Sequence, residues 1–118
     1  MKKFEETKYN EYWITADGKV FIYNKGSKKL KPVKPIRAGN KHTPYDKRYQ
    51  QVICGGKRQH YYIHQLVYRY FVGKIPEGMT VDHIDNDKNN NHYSNLQLLT
   101  RSENTKKSWE VRRNHTNV

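Results

Sequence analysis

Apolar and polar positions follow two different periods along this chain, and the change between them falls near its middle. E-Y-W-I-T and K-V-F-I-Y, either side of Asp17-Gly18, are short runs of aromatic and β-branched residues. Asp-Gly supplies the positive-φ positions that a tight turn requires, so the two runs predict a β-hairpin. N-K-G-S at 24–27 marks another turn. In the following K-K-L-K-P-V-K-P, Pro32 and Pro35 predict an edge strand or an extended arm. Residues 1–11 are charged and are expected to be loosely held; residues 37–48 read as a basic loop. Y-Q-Q-V-I-C, Gly55-Gly56 and K-R-Q-H-Y-Y predict a second hairpin.

At Tyr62 the period changes. Ile63, Leu66, Val67, Tyr70 and Phe71 fall at i, i+3, i+4, i+7 and i+8, the stripe of an amphipathic helix that Gly73 is placed to end. Met79–Ile84 reads as a short strand, Leu96–Thr100 as another, and a long polar loop joins them. Thr100-x-x-Glu103 has capping-box spacing, so a second helix should begin there, with Trp109 expected to pack it down. The expected fold class is α+β: N-terminal antiparallel hairpins over residues 1–61, then a helix and a strand–loop–strand–helix unit over residues 62–118. Together they should form one compact domain. Leu66, Val67, Tyr70, Phe71, Leu96 and Leu98 are its expected core.

Composition adds that this core is small. Only 34% of the 118 residues are hydrophobic, although ten Tyr, three Phe and two Trp give large area per residue. The single Cys54 excludes an internal disulfide and a cysteine-based zinc site within the chain. No apolar run approaches the ~20 residues of a membrane span and the first ten residues lack a signal-peptide core, so a soluble, cytoplasmic protein without a membrane partner is expected.

The net charge of +12 is unevenly spread. Residues 1–62 carry fifteen Lys/Arg against five Asp/Glu, residues 63–100 carry three against four, and residues 101–118 carry five against two. Two basic arms therefore flank a slightly acidic middle. The arms suit a polyanion, nucleic acid above all. Carboxylates facing phosphates make sense when a cation lies between them.

The acidic middle is V-D-H-I-D-N-D-K-N-N-N-H-Y-S-N-L, residues 81–96. Phosphodiester hydrolysis needs a base that takes a proton from water near neutral pH, which histidine can do. It also needs a hard cation on the phosphate oxygens, and such a cation takes oxygen ligands, few of them from protein. Adjacent side chains on a strand point to opposite faces, so one of Asp82 and His83 can hold a metal while the other addresses water. Asn104, in the first turn of the second helix, is a suitable further oxygen donor.

Asp82-His83, Asn95 twelve residues after His83 and Asn104 nine further on resemble the HNH nuclease motif, in the form common to bacteriophage and intron-encoded homing endonucleases. D-H-I-D-x-D-K-x-N-N-x-x-x-N-L-x-x-x-T-x-S-E-N carries the resemblance, with I-H-Q-L-V upstream, over residues 60–105. Y-x-I-T-x-D-G-K-V resembles short sheet modules that often precede this nuclease. The resemblance implies a ββα-metal site with Asp82 and Asn104 holding the metal, His83 as general base, and Asn95 holding the loop that orients the base. It implies an endodeoxyribonuclease acting on double-stranded DNA as a monomer or weak dimer in a phage-infected bacterial host. Where the family often has histidine this chain has Asn104, which favours Mg²⁺ or Mn²⁺ over Zn²⁺.

The remaining polar residues have plainer readings beside the functional ones. Asp85, Asp87, Asn90 and Asn91 read as turn-makers that satisfy loop amides. His64 reads as a helix-start histidine or a phosphate contact. Lys57, Arg58, Arg101, Lys106, Lys107, Arg112 and Arg113 are candidate nucleic-acid contacts or solvated charge, the last four forming a basic helix face that could track DNA. The rival functional reading is a binding protein for DNA or RNA on an inactive scaffold of the same kind.

Overall fold

The computed structural model describes the backbone of residues 1–37 and 48–116, with side chains as far as Glu110. The side chains of Arg112 and Arg113, and most of the basic loop expected at 37–48, lie outside the described residues.

The N-terminal half opens as an antiparallel meander of four strands: β1 (Lys2–Glu6), β2 (Asn10–Ile14), β3 (Val20–Asn24) and β4 (Lys29–Val33), side by side in chain order. Residues 1–11 are therefore not loosely held, because β1 pairs with β2 from Lys2↔Ile14 to Glu6↔Glu11. Phe4 is the anchor that the surrounding charges conceal. Its ring packs 6.3 Å from Tyr12 and edge-on to Tyr61 at 5.4 Å. Glu6 adds ion pairs to Lys3 and Lys25 at the end of the sheet closed by the β1–β2 and β3–β4 turns.

Pro32 sits in β4, the edge strand, where a missing N–H costs no ladder bond. Beyond it, Ile36 and Gln51 exchange both backbone hydrogen bonds at 2.8 Å, which ties the arm after β4 to the next hairpin. That hairpin is β5 (Gln51–Cys54) with β6 (Gln59–Tyr62). Cys54 is buried in it, and burial pushes its thiol pKa up to about 12.

Helix α1 (Ile63–Phe71) follows β6 without a linker. It has no side-chain cap; the Gln50 carbonyl accepts from the Ile63 N–H at 3.0 Å instead, satisfying one of the free donors of its first turn. Ile63, Leu66 and Val67 are buried against Ile14, Val20, Val52, Val81 and Leu96, so α1 joins the N-terminal sheet to the C-terminal unit through one core. Burying each such side chain contributes about 1.5–3 kcal/mol. Tyr70, Phe71 and Leu98, expected as core, lie half-buried at its margin.

The C-terminal unit is β7 (Met79–His83), a long loop, a 3-10 turn at Tyr93–Asn95, β8 (Leu96–Thr100) and helix α2 (Arg101–Thr116). β7 and β8 pair from Met79↔Thr100 to His83↔Leu96. The capping box forms as its spacing predicts: Glu103 N–H donates to Thr100 Oγ1 at 3.1 Å, and Thr100 N–H to Glu103 Oε1 at 3.2 Å. Trp109 does not pack α2 down; it is 59% exposed.

Candidate active site

The end of β7 sets Asp82 and His83 against different neighbours. Asp82 faces β8 and α2: Gln97 Nε2 donates to its Oδ2 at 2.9 Å, and Lys107 Nζ donates to the same oxygen at 2.5 Å. His83 points the other way and is 3% exposed. Its Nε2 lies 2.7 Å from Asn91 Oδ1. The two side chains diverge as neighbours on a strand must, yet both line one cleft of about 390 Å³. Arg48, Tyr49, Lys88, Asn104 and Lys107 share its walls.

Asn104 reaches this cleft because the capping box places it in the first turn of α2, above β7. Its Nδ2 donates to Thr80 Oγ1 at 3.4 Å, so its amide oxygen is not the atom spent on Thr80. Asn95 touches neither Asp82 nor His83 through its side chain. It closes the loop instead, donating to Asp85 Oδ1 at 2.8 Å and to the Asn90 carbonyl at 2.9 Å, and accepting from the Asp85 N–H at 3.2 Å. Its carbonyl also accepts from the Ile84 N–H at 2.8 Å.

The turn-maker reading holds for Asp85 and Asp87, which accept from the N–H groups of Asp87 and Asn89 at 2.8 and 2.9 Å. Those contacts hold the Asp85 carboxyl below its usual range, first through the Asp87 N–H and then through the Asn95 and Asn90 amides. The reading fails for Asn91, which is 3% exposed and bonded to His83.

The basic candidates separate. Lys107 points into the cleft, where its ammonium also donates to the carbonyls of His83 at 2.7 Å and Ile84 at 3.3 Å. Arg101 and Lys106 lie exposed beside Trp109 on another face of α2. Lys57 and Arg58 occupy the β5–β6 turn, at the end of that hairpin away from Tyr62. His64 is buried, its ring stacked on Tyr49 at 4.7 Å and 5.2 Å from the ring of His83. Only 5% of it is exposed, so little of its surface is open to a phosphate.

Several members of the site, Arg48, Tyr49 and Gln50 among them, lie outside the motif, whereas Lys88 is the lysine of D-H-I-D-x-D-K. Tyr49 lies 6.1 Å from the His83 ring, and Arg48 and Lys88 sit over Tyr49 at 5.9 and 5.6 Å, bringing two cations to the mouth of the cleft. Gln50 accepts from Asn91 Nδ2 at 2.9 Å. The local clue was only a polar stretch before β5.

The donor set fits a hard cation. Among the described residues no three His, Cys, Asp or Glu side chains gather; the cleft offers the Asp82 carboxylate beside the neutral amide of Asn104. Mg²⁺ is commonly bound with one or two carboxylates and retained waters. That an ammonium group is gathered by one carboxylate and two carbonyls shows that this corner of the cleft attracts positive charge.

Comparison with known proteins agrees with the geometry. Residues 61–106 match the family model described as HNH endonuclease. The protein named SPbeta prophage-derived putative HNH homing endonuclease YosQ, of Bacillus subtilis (strain 168), is 37% identical over 110 residues, covering 91% of this chain and 57% of that relative. An uncharacterized HNH endonuclease of Acanthamoeba polyphaga mimivirus is 45% identical over 51 residues, 42% of this chain and 26% of that protein. The solved structure of the HNH homing endonuclease I-HmuI, whose subject is DNA binding and cleavage, superposes with a TM-score of 0.62 at 28% identity. That superposition covers 93% of this chain and 59% of the other. The chain thus spans less than three fifths of the length of YosQ and of I-HmuI. Among the described residues no helix is long and apolar enough to cross a membrane. Residues 61–106 thus match the HNH endonuclease family, and the relatives and the solved structure that resemble this chain carry HNH endonuclease names.

Proposed function

We propose that this protein is a metal-dependent endonuclease that hydrolyses phosphodiester bonds in double-stranded DNA. The observation that carries the reading is that Asp82, His83 and Asn104, from β7 and α2, line one cleft with cations at its mouth.

In this reading His83 takes a proton from the attacking water. The water oxygen forms a bond to phosphorus, the bond to the 3′ oxygen breaks, and that oxygen takes up a proton to leave as a hydroxyl. The products carry 5′-phosphate and 3′-hydroxyl ends. Asp82 and the amide oxygen of Asn104 would hold Mg²⁺ or Mn²⁺, which supplies positive charge for the phosphate and leaving oxygens. Asn95 keeps the loop between β7 and β8 closed, so that His83 keeps its place at the cleft wall. Residues 1–61, with Arg101 and Lys106 on the exposed face of α2, would straddle the duplex, mostly through phosphates, and binding would weaken steeply with salt.

Plasmid nicking in Mg²⁺ or Mn²⁺, with and without EDTA, tests the reading by comparing the unaltered protein with His83→Ala. Loss of nicking in the variant and on chelation is expected. Equal activity in both proteins, or activity that survives chelation, refutes the mechanism.

A further inference from the structure

We infer that a chain of side-chain hydrogen bonds from Arg37 to His83 fixes the tautomer of the base, making Nδ1 the atom that receives the water's proton. This deepens the nuclease reading and rests on it.

The chain has a direction because one end can only donate. A guanidinium has no acceptor, so the Arg37 Nη2 contact with Asn89 requires Asn89 to present Oδ1. Gln50 meets the same Oδ1 at 3.4 Å and so must offer its amide nitrogen. Its remaining oxygen, Oε1, then faces Asn91, which donates from Nδ2 at 2.9 Å. With Nδ2 committed, Asn91 turns Oδ1 to His83 Nε2 at 2.7 Å, and an amide oxygen can only accept. Nε2 must therefore carry the proton, and Nδ1 keeps its lone pair. In a neutral imidazole one nitrogen donates and the other accepts, so fixing one fixes the other.

Two packing features hold the chain in place. The exchanged bonds between Ile36 and Gln51 set Arg37 and Gln50 on adjacent segments. Gly18, at the β2–β3 turn, lies so close to Asn91 that a Cβ there would fall 2.7 Å from the Asn91 Cβ. Arg37, Gln50 and Gly18 all precede residues 61–106, the part that matches the family model. Asn91, Gln50, Asn89 and Arg37 are positioning residues: they act through His83 rather than on substrate.

Long-range ¹H–¹⁵N spectra of the histidine rings, in metal-free and DNA-free protein at about pH 8, well above the ordinary histidine pKa of ~6.5, read the tautomer directly. The unaltered protein should show His83 protonated at Nε2. Asn91→Ala should give a mixture of tautomers, and Gln50→Leu a partial loss. Asn91→Asp and Gln50→Glu, which keep an acceptor where the relay needs one, should retain the signature. In nicking assays Asn91→Ala should lower kcat by about 10- to 100-fold, the usual scale for removing a group that orients a site residue. Asn91→Asp should restore most of that loss. Gln50→Leu serves as the readout where Asn91→Ala fails to fold, since Gln50 is only half-buried.

An Nδ1-protonated His83 in the unaltered protein, or an unchanged signature in both Asn91→Ala and Gln50→Leu, overturns the inference. Those results with cleavage intact would leave the nuclease reading standing. The expected tautomers without any cleavage would remove the nuclease reading and, with it, the catalytic role of Nδ1.

Discussion

Replacing Gly18 by alanine tests how the N-terminal sheet is seated on the loop between β7 and β8. Gly18 has φ +89°, a conformation rare for residues with a Cβ. An added Cβ would lie 2.7 Å from Asn91 Cβ and 3.0 Å from Ile63 Cγ2, with Asn91 and Ile63 both buried. Left-handed backbone costs an L-residue about 1–2 kcal/mol, and forcing a methyl group into a packed interior costs typically about 1–3 kcal/mol. The lower entropy of the unfolded alanine chain offsets this by about 0.4–1 kcal/mol. The net loss should be about 2–4 kcal/mol, which for a chain of this size lowers Tm by about 8–16 °C. Gly56→Ala is the control, because nothing lies within 4 Å of a Cβ at that position and its φ is not left-handed. Thermal unfolding followed by circular dichroism, with both variants beside the unaltered protein, measures the difference. A Gly18→Ala Tm within about 2 °C of the unaltered protein would refute both the close approach and the seating of the sheet on Asn91, since the size argument leaves no such margin.

Two further substitutions separate the loop from the proposed metal ligands. Asn95→Ala removes two donated bonds and one accepted bond from the loop and should destabilise it by about 1–3 kcal/mol, seen as faster hydrogen exchange at the Asp85 and Asp87 amides. It should also raise the Asp85 pKa by carboxyl ¹³C titration, because Asn95 is one of the groups holding it down. A depressed folded pKa means that the Asp85 contribution is complete above the ordinary value of ~3.9 and is lost as pH falls through the lowered one. An unmoved Asp85 titration would rule out that contact. Lys107→Met removes the ammonium that shares Asp82 with any bound cation, and Mn²⁺ affinity by calorimetry should rise about tenfold, near 1.4 kcal/mol. Unchanged affinity would mean that Lys107 does not compete for that carboxylate.

The order of elements was legible because the forces that set it act between near neighbours. The i, i+3, i+4 stripe from Ile63 to Phe71 became α1, and Thr100 with Glu103 became the cap of α2. The spacing of Asp82, His83 and Asn104 was enough to bring them to one cleft, since a two-stranded hairpin and the first turn of a helix leave little freedom between them. Charge at exposed positions misdirected the reading of residues 1–11, where the side chain that matters is Phe4, half-buried and packed on Tyr12 and Tyr61. Asn91 misled in the opposite sense. It stands in a run of loop-formers, and nothing local distinguishes the one that turns inward.

What the tertiary structure alone decided is the surroundings of His83. Arg37 meets Asn89 across 52 residues, Gln50 meets Asn91 across 41, and Lys107 meets Asp82 across 25. Hydrogen bonds at such separations exist only where the intervening backbone has been fixed, here by the Ile36–Gln51 bridge, the β7–β8 hairpin and the close seat of Gly18. Residue type and spacing are enough to nominate a candidate base and candidate ligands. The direction in which a buried amide is turned depends on what lies on its far side, and that is set by packing.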